Sequence, residues 1–184
     1  MKLNCPNIAF RCFDDITSKA SMPHNLNNTT VICLGCDNVE DKTIDKYAEI
    51  LLKAGCRSFV FYGEDEPNWH YRFDLMDINL RGDVEDVALT STLEDLNDLP
   101  DEFLISEADV KIYACDYEMV RRSYQIIIDA GCGNAVRYVG QDSMNFEKGC
   151  IYRVLSVEKG WYRIMTDCDE DYLFPPELFE EVEE

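Results

Sequence analysis

The chain has 184 residues, 46% of them hydrophobic and 11% aromatic, with 37 Asp and Glu against 17 Lys and Arg and a net charge of -20. That hydrophobic content suits a folded globule of one domain or a domain plus a module, so the charge must lie on the surface and does not mark disorder. A surface this acidic repels nucleic-acid phosphates and anionic membranes, which need Lys and Arg to neutralise them, and favours a basic partner.

Residues 1–13 mix Asn, Pro, Arg and Lys among apolar side chains and lack the long apolar core of a signal peptide. No run of about 18 apolar residues is present to span a bilayer. Nine cysteines, at 5, 12, 33, 36, 56, 115, 132, 150 and 168, are odd in number and irregular in spacing. They spell no disulfide framework, and reduced thiols in a cytoplasmic protein are expected.

Thr29 to Leu34 is a β-branched run ending at Gly35, a strand, and Asn38 and Asp41 offer cap-like side chains for a helix after it. In that helix Ile44, Tyr47, Leu51 and Ala54 recur on one face, and Gly55 sits where a left-handed cap would stop it. Ser58 to Tyr62 is a second buried strand, which makes the unit a βαβ crossover between parallel strands. Periodicity is mixed from Glu66 to Leu80, where a short helix is expected.

Val87 to Thr92 reads as a third strand, Leu96 to Ile105 as a helical or irregular connection, and Val110 to Cys115 as a fourth strand. Tyr117 to Ala130 suits a last helix, ended at Gly131-Cys132-Gly133. The expected fold is therefore α/β, with a small, mainly parallel sheet of about four strands and flanking helices over residues 1–132. Ile50 to Tyr62 and Ile126 to Tyr138 share A-G-C and flanking residues, which generic helix ends explain without a duplication.

Beyond Gly133 the texture changes to short strands and tight turns: Val136 to Val139, Cys150 to Val157, Trp161 to Thr166 and Tyr172 to Phe174, with a hairpin turn at Glu158-Lys159-Gly160 and a stop at Pro175-Pro176. A compact antiparallel barrel over 134–184 is expected. Arg137 to Glu183, with R-Y-V-G-Q-D, K-G-C-I-Y-R-V-L-S-V, G-W-Y-R-I and D-Y-L-F-P-P-E-L-F-E-E-V, resembles an SH3-like tail module appended to many bacterial proteins. The resemblance implies that fold and a modular habit, and carries no chemistry. A-G-C at 54–56, F-V-F-Y-G-E-D at 59–65 and Trp69 ahead of Asp74 look like a bacterial α/β family of unknown function, from which no catalytic residues are imported.

From Asp83 to Asp109 the chain holds ten acids and neither Lys nor Arg. Apolar residues interleave with them, so the segment should fold and turn its carboxylates outward; Asp83, Glu85, Asp86, Glu94, Asp95, Asp98, Asp101 and Glu102 form a candidate docking face. Asp37 and Asp116 follow strands at carboxyl ends, where open α/β sheets place ligand crevices, although helix capping explains both. Glu64, Asp65, Trp69 and His70 cluster after the second strand, where acid and imidazole suit general acid-base work, a packed Trp and a solvated His being the plainer reading. Asp37, Asp65, Trp69, His70 and Asp116 are thus the candidate crevice.

Cys33-x-x-Cys36 lacks a second pair to complete a metal cage and reads as buried thiols. No phosphate loop is present, and neither a metal nor a cofactor is expected. Trp161, Tyr172 and Phe174 resemble the aromatic equipment of proline-peptide grooves, although strand alternation sends part of the set into a core. The leading expectation is a non-enzymatic acidic protein that binds a basic protein, such as an immunity or inhibitor protein covering a toxin or nuclease. The alternatives are a small enzyme or nucleotide-sensing domain using strand-end carboxylates, and a regulatory scaffold whose barrel holds a peptide.

Overall fold

A computed structural model of the chain describes residues 7–82, 87–104, 108–168 and 171–182. Its first half is a five-stranded parallel sheet built from β1 (Ile8–Cys12), β2 (Thr29–Leu34), β3 (Ser58–Tyr62), β4 (Leu89–Thr92) and β5 (Asp109–Ala114), in the order β1-β5-β2-β3-β4. All residues of β2 are buried, because strands pair on both of its edges and helices cover both faces. That is why T-T-V-I-C-L shows no polar alternation.

Helices α1 (Asp14–Thr17), α2 (Asp41–Lys53) and α3 (Glu66–Arg81) follow the first three strands. From α2, Ile44, Tyr47 and Leu51 reach one face of the sheet and pack with Val31, Cys33, Phe59 and Phe61; Trp69 and Phe73 of α3 join them. The opposite face, with Ile32, Leu34, Val60 and Ile112, is covered by Val120 and Ile127 of α5 (Tyr117–Asp129) and by Leu93, Leu96 and Leu99. Gly55 ends α2 at φ +97, where an added Cβ would meet Asn27 Oδ1 at 2.3 Å.

Two features depart from expectation. The sheet has a fifth strand, β1, in which Ile8 and Phe10 face the core and alternate with Ala9 and Arg11. Glu66 to Arg81 is a full helix of 16 residues, opened by Pro67 in its first turn and closed by Gly82 at φ 71. The acidic connection is partly helical, as expected, with a 3-10 turn at Leu96–Asp98 and a short helix α4 (Asp101–Leu104).

After Gly133 the chain builds a separate antiparallel sheet from β6 (Asn134–Tyr138), β7 (Ile151–Glu158), β8 (Trp161–Met165), β9 (Asp171–Phe174) and β10 (Phe179–Glu181), in the order β10-β6-β7-β8-β9. The second A-G-C segment therefore leads into a different sheet from the first. Lys159 and Gly160 both have positive φ, the signature of a type I′ hairpin turn. The expected barrel is present as an antiparallel five-stranded sheet that is not closed among the described residues, because β9 and β10 stand at opposite ends of the pairing order and do not pair there. Strand β10, which the sequence reading does not assign, pairs with β6.

Phe146, from the loop between β6 and β7, fills one side of this sheet against Tyr138, Tyr152, Phe174 and Phe179. The other side meets the parallel sheet. A bulge between Val154 and Ser156 interrupts the β7–β8 register, and Leu155 of the bulge joins Met165 in the cluster around Ile8, Phe10 and Val110. Arg163 binds Glu158 at 2.6 Å and Asp171 at 3.0 Å, and Asp171 also reaches Arg11 at 3.5 Å. Two sheets distinct in pairing thus share one buried seam.

Candidate functional site

The chain runs from β2 through β3 to β4 in one direction across the sheet, and β5 then returns to the other side of β2. Such a reversal leaves a crevice outside the carboxyl ends of the strands. Here a cavity of about 540 Å³ is lined by Asp37 after β2, Tyr62, Gly63, Glu64 and Glu66 after β3, Thr92 and Glu94 at the end of β4, and Met119 of α5. Four carboxylates face it, and its lining contains neither Lys nor Arg.

Its floor is held by backbone. The amides of Gly35 and Cys36 both donate to Tyr62 O, and Asp65 N donates to Cys36 O at 3.0 Å. At Gly63, φ is +146 and an added Cβ would lie 2.5 Å from Cys36 N, so only glycine lets the two loops pack this closely. Asp37 does not cap α2; its Oδ1 accepts from Glu64 N and ties one acidic loop to the other.

Glu66, His70 and Thr92 form the polar rim. His70 Nε2 lies 3.1 Å from Glu66 Oε2 and 3.0 Å from Thr92 Oγ1, and Thr92 Oγ1 donates to Glu66 Oε2 at 3.1 Å. Carboxylate and hydroxyl converge on the same ring nitrogen. A nucleophile triad needs the acid on the other nitrogen, orienting the ring, so this trio fastens the first turn of α3 to the end of β4 and does not activate Thr92.

The candidate crevice residues part company. Asp37 lines the cavity and His70 reaches its rim. Asp65 turns to Asn68 Nδ2 at 3.2 Å, and Asp116 is the N-cap of α5, accepting from Met119 N at 2.8 Å. Trp69 is fully buried between Phe13, Phe61 and Phe73, with an indole N–H that finds no acceptor among the described residues. It belongs to the core because helical spacing from Trp69 to Phe73 puts both on the sheet side of α3. Glu66 and Thr92 join the site unannounced, and Glu94 comes to it from the expected docking face. The spacing of Glu66 and His70 by one helical turn is the signal available for the first of these.

Glu94 links the crevice to the acidic segment. Leu93, Leu96 and Leu99 are buried, whereas Glu94, Asp95, Asp98 and Asp101 are exposed, so the apolar residues anchor the segment and the acids face out. Asp95 accepts from Asn97 N at 2.9 Å and fixes the 3-10 turn. Glu102 is half-buried, and burial, with Asp101 beside it, raises its pKa. Asp83, Glu85 and Asp86 lie outside the described residues.

Cys33 and Cys36 are buried thiols that desolvation pushes well above the ordinary thiol value, and Cys36 Sγ donates to Cys33 O. Such thiols are poor nucleophiles. Among the described residues no three His, Cys, Asp or Glu side chains are placed to hold a metal, and no helix is long and apolar enough to cross a membrane.

The expected aromatic groove divides. Tyr162 pairs with Phe174 and Ile164 with Tyr172, so Tyr172 and Phe174 share the face that Phe146 covers. Trp161 alternates with Tyr162 and lies on the opposite face, with Arg163 and Met165. No single groove contains all three.

Comparison with family models, with curated proteins and with solved structures finds no match to this chain.

Proposed function

We propose that this is a non-enzymatic protein that binds a basic protein partner through the carboxylate-lined crevice and the acidic segment continuous with it, in the manner of an inhibitor or immunity protein covering a cationic toxin or nuclease. One observation carries the reading. Asp37 from one loop, Glu64 from a second, Glu66 from the first turn of α3 and Glu94 from the segment free of Lys and Arg line a single cavity whose lining has neither Lys nor Arg. In a chain of net charge -20 this places unneutralised carboxylates in a concavity, where field lines are focused and cationic side chains are drawn in. The cytoplasmic setting and an SH3-like identity for the C-terminal sheet belong to the same reading. The latter is supported by its short antiparallel strands, its tight Lys159-Gly160 hairpin and the motifs from Arg137 onward.

The test separates the crevice from bulk charge. A Lys- and Arg-rich peptide is titrated into the wild type, into Asp37→Asn/Glu64→Gln/Glu66→Gln/Glu94→Gln, and into Asp129→Asn/Glu177→Gln/Glu180→Gln/Glu181→Gln. The two quadruple variants lose the same charge from exposed or crevice positions. The crevice variant is expected to bind on the order of tenfold more weakly, with a flatter salt dependence, and the distal variant to stay close to wild type. Equal losses in both variants would reduce the effect to net charge and remove the crevice from the account.

A further inference from the structure

A second cavity, of about 280 Å³, opens where β1 and β5 meet β7, with Arg11, Asn25, Asp109, Lys111, Ser156 and Glu158 in its lining. The register pairs Ala9 with Lys111 and Arg11 with Tyr113, so Arg11 and Lys111 rise from the same face of neighbouring strands as diagonal neighbours. Two cations set side by side repel unless an anion lies between them. Arg11 bonds through Nη1, to Phe10 O at 2.6 Å and to Asp171 at 3.5 Å. The Lys111 ammonium makes no hydrogen bond or ion pair with the described residues. Burial, with Arg11 beside it, lowers its pKa.

The carboxylates nearby are already engaged elsewhere. Glu158 is held by Arg163 Nε at 2.6 Å, and Asp109 accepts from Asn7 Nδ2 at 2.9 Å. Both retain acceptor lone pairs facing a cavity that is small for a ligand pocket. Two cations and two carboxylates around such a space are a poor match for a phosphate dianion, which the acids would repel, and a good match for a zwitterion.

We propose that this cavity binds a small amino-carboxylate, of which a free amino acid is the simplest, with its carboxylate on Lys111 and Arg11 and its ammonium toward Glu158 and Asp109. The site lies on the seam between the two sheets, so ligand contacts from Lys111 on one and Glu158 on the other would also hold the seam together.

The full-length chain, labelled with ¹⁵N, is titrated separately with each of the twenty amino acids, with acetate, with methylamine and with inorganic phosphate, at millimolar concentration. At least one amino acid is expected to shift the amides of Ala9, Lys111 and Val157 saturably, with acetate and methylamine each on the order of tenfold weaker. Lys111→Met removes a half-buried cation that lacks a partner, so this variant is expected to melt at or above the wild-type temperature while losing the response. No saturable shift with any amino acid, an undiminished shift in Lys111→Met, or tighter binding of phosphate than of every amino acid would each overturn the proposal.

Discussion

Asp77→Ala is expected to lower the unfolding free energy by about 3 kcal/mol, the loss typical of removing one member of a buried ion pair. Asp77 is 1% exposed on the inner side of α3. Its carboxylate accepts from Arg57 Nη1 at 2.6 Å and from Ala88 N at 2.7 Å, and forms an ion pair with Arg81 Nε at 3.4 Å. Truncation strands a buried backbone N–H and takes an anion from beside two guanidinium groups. The side chain of Arg57 is 29% exposed and that of Arg81 41%, so water recovers part of the loss and the upper end of the range is not expected. Asp77→Asn keeps an acceptor for Ala88 N and should cost less. Urea unfolding with unchanged slope would read both. A loss below that of an ordinary surface substitution would show that Asp77 does not fasten α3 to the start of β4. Since β4 delivers Thr92 and Glu94 to the crevice, the same variant should also weaken binding of the basic peptide.

Phe146→Ala is expected to cost about 3–5 kcal/mol, the range for deleting a buried aromatic ring. Phe146 is 2% exposed and lies within 4.6 to 5.5 Å, ring centre to ring centre, of Tyr138, Tyr152, Phe174 and Phe179. A small sheet has few substitutes for such a centrepiece. Trp69 sits in the core of the parallel sheet and Trp161 on β8, so single-tryptophan versions of the chain report the two units separately. In Phe146→Ala the Trp161 transition should move to lower denaturant by more than the Trp69 transition. Coincident shifts would mean that the seam of Leu155, Met165 and Arg163 makes the two sheets one cooperative unit.

What the sequence disclosed depended on whether a pattern was local. Strands β2 and β3 are short, buried, largely apolar runs, and helices α2 and α5 carry their own periodicity and end at Gly55 and Gly131, both at positive φ. Helix α3 does not. Its buried stripe runs from Trp69 through Phe73 to a carboxylate at Asp77, while Tyr71, Leu75 and Leu80 are exposed, so the apolar moment that marks α2 is cancelled. Strand β1 alternates over only five residues and gains its partner, β5, about a hundred residues later. In the C-terminal sheet β10 was not legible: three residues after Pro175-Pro176 are too few to read as a strand, yet they decide which edge of the sheet is paired.

The site was legible in its chemistry and not in its assembly. The segment without Lys or Arg and the carboxyl-end position of Asp37 point to the same neighbourhood as the cavity that Asp37 and Glu94 line. Which of them converge depends on the β3–β4 register, which sets Phe61 opposite Thr92 and so brings Glu94 to the loop after β3. Asp116 was drawn instead into its helix cap, and Trp69 into the core. Lys111 gave no signal at all, since a lysine inside V-K-I-Y-A reads as an ordinary outward residue of a half-exposed strand.

The most direct test of the account is to map where a Lys- and Arg-rich peptide touches the protein by following backbone amide shifts in the full-length chain. The account predicts saturable shifts concentrated at Gly63, Glu64, Thr92, Glu94 and Met119, fading as salt is raised. Shifts spread evenly over exposed acids such as Asp129, Glu177 and Glu180, with the crevice amides unmoved, would contradict it.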